Sequence, residues 1–86
     1  MMLNEMQQIE LAAKLLKISI DEATEYHSQI EAESAIYVSI PEKGGASLIV
    51  GQDGEVLYAD SSIGYSRHLE EYKKGNRTPI ATFEVD

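Results

Sequence analysis

The sequence predicts an α+β fold: an antiparallel three- or four-stranded sheet with helices, in the order α-α-β-β-β-α with a candidate final β. Three observations carry this expectation. Apolar residues recur at three- and four-residue steps through Leu3–Lys17, apolar and polar residues alternate through Ala35–Ile40, and Asp53-Gly54 stands between two apolar runs. Helical periodicity followed by strand periodicity, with turn residues between the strands, is the pattern of helices packed on an antiparallel sheet.

Leu3, Met6, Ile9, Ala13 and Leu16 define one stripe of the first helix, and Leu11, Ala12 and Leu15 widen it. Ser19 and Glu22 have capping-box spacing, so a second helix is expected to start there and run to about Glu31. Asp21 and Glu22 in its first turn complement the helix dipole. Ala35–Ile40 reads as a strand, because Ile36, Val38 and Ile40 alternate with Tyr37 and Ser39. Pro41 to Gly45 supplies a turn.

Ser47–Gly51 and Glu55–Ala59 are then the arms of a hairpin. A type I′ turn at Asp53-Gly54 sets Gln52 against Glu55, Val50 against Leu57, Ile49 against Tyr58 and Leu48 against Ala59. In that register Leu48, Val50, Leu57 and Ala59 share one face, and Ile49, Val56 and Tyr58 share the other. A third helix is expected over Tyr65–Lys74, with Gly64 or Ser62 as N-cap and Gly75 just beyond its end. Thr78–Glu84 alternates enough to add an edge strand, with Pro79 tolerated only at its start or edge.

A chain of 86 residues makes a single domain with no room for a large internal cavity. With 43% hydrophobic and 26% charged residues it is a folded composition, not a disordered one. The absence of cysteine removes disulfides, thiolate nucleophiles and cysteine-bound zinc, and favours the cytoplasm. Met1–Lys17 is interrupted by Asn4, Glu5, Gln7, Gln8 and Glu10, so it reads as neither a signal peptide nor a membrane span. Fifteen acidic residues against seven basic ones leave a net charge of -8, which repels phosphate backbones and anionic membranes and favours a basic partner. The same acidity also keeps a protein dispersed in water.

The chemistry-bearing residues are few. His27 and His68 fall on separate expected helices, and a triad drawn from Ser61 or Ser62 with His68 and Asp60 lacks a nucleophile-elbow motif. Asp53, Glu55 and Asp60 lack calcium-loop spacing, and Asp53 is explained by the turn. Gly51-Gln52-Asp53-Gly54 caps a hairpin and carries an acid, unlike an RNA-clamping glycine loop, and no phosphate loop follows Gly44-Gly45. The expectation is a non-enzymatic protein without metal or cofactor. What remains is the second sheet face, where Tyr37, Ile49, Val56 and Tyr58 would form an aromatic-anchored patch. A partner, the protein's own helices or a second copy could each cover it.

Gly45-Ala46-Ser47-Leu48-Ile49-Val50-Gly51-Gln52-Asp53-Gly54-Glu55-Val56-Leu57-Tyr58, followed by His68-Leu69-Glu70-Glu71-Tyr72, resembles the YrhB-type immunity proteins of bacterial polymorphic toxin systems over roughly residues 36–79. The resemblance implies a small α+β protein that neutralises a toxin by stoichiometric binding. Its partner would then be a protein, a basic toxin domain among the candidates, contacted through Tyr37, Ile49, Val56 and Tyr58 together with Asp21, Glu22 and Glu25. The alternative expectation is a small regulatory or chaperone-like adaptor, as a homodimer.

Overall fold

The structure, a computed structural model, describes residues 2–41, 44–60 and 62–84. Glu42 and Lys43 of the expected Pro41–Gly45 turn, and Ser61 of the triad considered above, lie outside the described residues. The chain is α+β, as expected, and the described residues form three helices and four antiparallel strands in the order α-α-β-β-β-β-α.

Helix α1 (Glu5–Leu16) starts from a capping box in which the Asn4 side chain accepts from the Gln7 amide at 2.8 Å and the Gln7 side chain accepts from the Asn4 amide at 2.9 Å. It stops at Lys17, whose φ of 59° is left-handed. Helix α2 (Ile20–Glu25) begins at the expected Ser19–Glu22 capping box. Strands β1 (His27–Ile30), β2 (Ala35–Ile40), β3 (Ala46–Gly51) and β4 (Val56–Ala59) follow in a meander whose spatial order is the chain order. Helix α3 (Tyr65–Lys73) closes the fold, with Gly64 as its N-cap.

Three expectations are corrected. The second helix ends at Glu25, not near Glu31, and the fourth strand comes from His27–Ile30. Tyr26, His27 and Ser28 have lower helix propensity and no apolar stripe supports the segment, and pairing of His27–Ile30 with Val38–Ala35 outweighs its remaining local preference. The C-terminal strand shrinks to a single bridge between Thr78 and Val56, and Ile80–Glu84 forms a 3-10 turn. Pro79 has no N–H to continue a ladder, and its carbonyl instead accepts from Thr82 at 3.0 Å.

The hairpin turn is the third correction. Only Gly54, at φ 84°, is left-handed, and Asp53 is not, so the turn is not type I′. The Gly51 amide bonds the Glu55 carbonyl at 2.9 Å, and the Gly54 amide bonds the Gly51 carbonyl at 3.1 Å, enclosing a three-residue loop with glycine in the left-handed position. This shifts the register by one residue: Val50 pairs with Val56, Ile49 with Leu57 and Leu48 with Tyr58. Because side chains alternate, the shift moves every β4 residue to the opposite face from the expected one.

The result is a three-layer arrangement. On one face, Ile36, Val38, Ile40, Leu48, Val50 and Val56 pack under Ile9, Ala12, Ala13, Leu16 and Ala23 of α1 and α2. On the other, Ile30, Ala35 and Ile49 pack under Tyr72, with Tyr37, Leu57 and Leu69 at the margin. The second apolar sheet face is covered by the protein's own third helix. Gly51 is required there by space, since a Cβ would run into the Tyr72 hydroxyl and the Asp53 carboxylate.

Candidate functional site

The four sheet residues expected to form one patch are split between the two faces. Tyr37 and Ile49 lie under α3, whereas Val56 and Tyr58 lie on the α1 side. Ile49 and Val56 are both 0% exposed and present no surface to a partner. Tyr37 is half-buried, its ring edge-on to Tyr65 at 4.7 Å and to His68 at 5.7 Å, and its hydroxyl donates to Ser47 Oγ at 3.2 Å. Tyr58 alone is well exposed, at 41%, and it leans against Phe83. The single aromatic-anchored patch does not form, because the register shift separates its members.

The acidic residues stand differently. Asp21 and Glu25 are exposed on α2, four residues apart, and make no side-chain hydrogen bond among the described residues. Glu22 is half-buried and committed to the cap, its Oε1 accepting from the Ser19 amide at 3.3 Å and the Ser19 hydroxyl at 3.2 Å. The negative surface then continues past α2. Glu25 precedes β1, while Glu31 and Glu33 follow it in a 3-10 turn. Glu5 reaches over from α1, its Oε2 accepting from Gln29 Nε2 at 2.6 Å and lying 3.1 Å from His27 Nε2. Hydrogen bonding from Gln29, and next from His27, holds the Glu5 carboxyl below its ordinary range. The basic residues Arg67, Lys73, Lys74 and Arg77 fall instead on α3 and just beyond it.

The sequence missed Glu5, His27, Gln29, Glu31 and Glu33 because His27–Ile30 was expected to be helical. The segment carries no alternating apolar pattern, since Ile30 alone of His27–Ile30 is apolar and buried.

A cleft of about 380 Å³ opens between β4, the following connection and α3, with Leu57, Asp60, Ser62, Arg67, His68 and Glu71 on its walls. Its polar groups are turned toward local structure. The Asp60 carboxylate accepts from the Ser62 amide at 2.9 Å and also from the Ser62 hydroxyl, which holds it below its ordinary range. His68 is 1% exposed, and Nε2 donates to the Leu57 carbonyl at 2.7 Å. Its Nδ1 is buried without a partner, and burial pushes the imidazole down toward the neutral form. Ser62 is thus bonded to Asp60, not to His68, and does not make the nucleophile-to-base contact a triad requires.

No protein-family model, curated protein or solved structure matches the chain.

Proposed function

We propose that the protein acts by stoichiometric, non-catalytic binding of a basic protein partner, as a cytoplasmic immunity-type protein that neutralises a bacterial toxin domain. The observation that carries this reading is the exposed acidic run of Asp21 and Glu25 on α2, extended by Glu31 after β1. Charges placed this way raise the encounter rate with a basic partner and set its orientation more than they raise affinity. The resemblance of residues 36–79 to YrhB-type immunity proteins supports the same reading. The partner surface is moved from the sheet face to the α2 side, since the sheet-face residues are dispersed or buried.

The test is co-expression with the product of the adjacent gene. A 1:1 complex by light scattering, and rescue of growth from that product's toxicity, are the expected results. The double variant Asp21→Lys with Glu25→Lys should slow association about tenfold at low ionic strength, with the difference shrinking at high salt. Recovery of the protein only as a homodimer, with no rescue, would favour the adaptor reading instead.

A further inference from the structure

The four-stranded sheet has two edges, and among the described residues only one is closed. On β4, the Val56 carbonyl accepts from the Thr78 amide at 2.7 Å, and the Tyr58 amide donates to the Thr78 hydroxyl at 2.9 Å. The opposite edge is β1. The Ser39 amide reaches the Tyr26 carbonyl at 3.5 Å, which marks that pair as hydrogen-bonded. Alternation along an antiparallel ladder then makes Ser28–Tyr37 and Ile30–Ala35 the bonded pairs, and turns the N–H and C=O groups of His27 and Gln29 outward. Those outward groups meet no protein partner among the described residues.

The edge is also unobstructed. The His27 and Gln29 side chains are drawn onto the α1 face by the Glu5 carboxylate, away from the line of outward amides. Between them stands Ser28, small and exposed. Protected edges usually carry lysine, proline or a bulge, and His27–Ile30 has none of these: its register with β2 is unbroken.

We propose that the β1 edge is a strand-pairing site for an extended lysine- or arginine-bearing segment of a partner protein. This deepens the binding reading of the preceding subsection and rests on it. The charge around the edge selects the occupant. Glu25 stands before the strand, Glu31 and Glu33 after it, and Glu5 beside it. A strand added about 4.8 Å away brings its own side chains alongside these carboxylates. A second copy of this chain would bring the same acids, and like charges set against each other across a ladder are destabilising. Main-chain pairing supplies affinity that charge alone does not, and the carboxylates supply the preference for a basic strand.

A cyclised β-hairpin peptide with alternating lysine and threonine tests the proposal, because its preformed strand avoids most of the ordering cost of binding. Amide hydrogen exchange followed by NMR should show His27 and Gln29 exchanging fast in the free protein and becoming protected when the peptide is added. Ser28 and Ile30, which already face β2, should change little. The same peptide N-methylated at the pairing amides keeps its charge and should bind about tenfold more weakly or worse. Gln29→Pro removes an outward N–H that the fold does not use, and should abolish the protection while leaving Asp21 and Glu25 in place. Absence of peptide binding at millimolar concentration overturns the proposal. So does equal binding of the N-methylated peptide, or protection elsewhere than His27 and Gln29. If growth rescue and the 1:1 complex persist while the edge stays unprotected in that complex, the edge proposal fails and the immunity reading stands. If the peptide pairs as expected but no toxin is neutralised, the edge stands and the immunity reading fails.

Discussion

His68 donates through Nε2 to the Leu57 carbonyl, and its Nδ1 is shut away from water with nothing to accept from. Protonating it in the folded state would place a cation under α3, so burial depresses its folded pKa below the ordinary 6.5. The unfolded chain binds that proton near 6.5 and the folded chain resists it. Stability from neutral His68 is therefore complete above about pH 6.5 and is lost as pH falls below that value, with a slope of at most ~1.4 kcal/mol per pH unit for one group. Thermal melts at pH 7.5, 6.5 and 5.5 should show the midpoint falling with acid in the wild type. In His68→Phe the fall should be smaller, and an identical fall in both proteins would remove His68 as its source. Gly51 works by a different physics at the same scale. It has no need of a left-handed φ, but its missing Cβ makes room for the Tyr72 hydroxyl against β3.

Each element is held by local caps and by a few long-range ties. The tie of α1 is Gln8, buried at 4% exposure, whose Nε2 donates to the Ser34 and Val50 carbonyls at 3.1 Å each. Ser34 itself sits at φ 53°, a left-handed conformation that this contact helps to hold. Gln8→Ala should cost about 1–3 kcal/mol, read as a lower urea midpoint with an unchanged slope. Gln8→Glu keeps the shape but sets an ionised carboxylate against two carbonyl oxygens, so it should cost more than alanine at pH 7 and recover part of the loss in acid. A Gln8→Glu variant as stable as wild type at neutral pH would show that the tie is not what seats α1. Strand β1 is the element the sequence concealed. His27 and Ser28 are weak helix formers with no apolar alternation, and pairing with β2 across the four-residue connection 31–34 gives the segment its reason to extend.

At the scale of the molecule, a charge of -8 sits on a compact body with a Cα radius of gyration of 11.5 Å. Lys74 pairs with Glu70 and Glu71, and Arg77 stacks on Tyr72 at 3.7 Å, so part of the small basic complement is engaged on or just after α3. The acids around α2 and β1 have few cations to oppose them, and self-repulsion there should lower stability at low ionic strength. Raising sodium chloride from about 20 to 300 mM should raise the melting midpoint by a few degrees, on the order of 0.5–1 kcal/mol for a domain of this size. The charge reversals on α2 should shrink that rise, and an unchanged salt response would place the repulsion elsewhere. The three layers fit this picture: with helices on both faces, what the sheet leaves to a partner is an edge.

Periodicity, capping and turn chemistry act within a few residues of chain, and for that reason α1, the start of α2, strand β2, the position of the hairpin and α3 could all be read from the sequence. Register, facing and edges depend on turn conformation and on how separate segments pair, which residue type alone does not fix. A single left-handed glycine at Gly54, in place of the two consecutive left-handed residues of a type I′ turn, moved β4 by one position and broke up the expected Tyr37, Ile49, Val56 and Tyr58 patch. Pairing with β2 turned His27–Ile30 from helix into strand and left the outer amides of His27 and Gln29 without a partner among the described residues, beside Glu25, Glu31 and Glu33. The sequence by itself determined that α1, the start of α2, α3 and the strands β2, β3 and β4 would form, and that the net charge would be acidic. The tertiary structure alone decided where that acidity lies beside an edge strand, because strand pairing is a property of two segments together and of neither one separately.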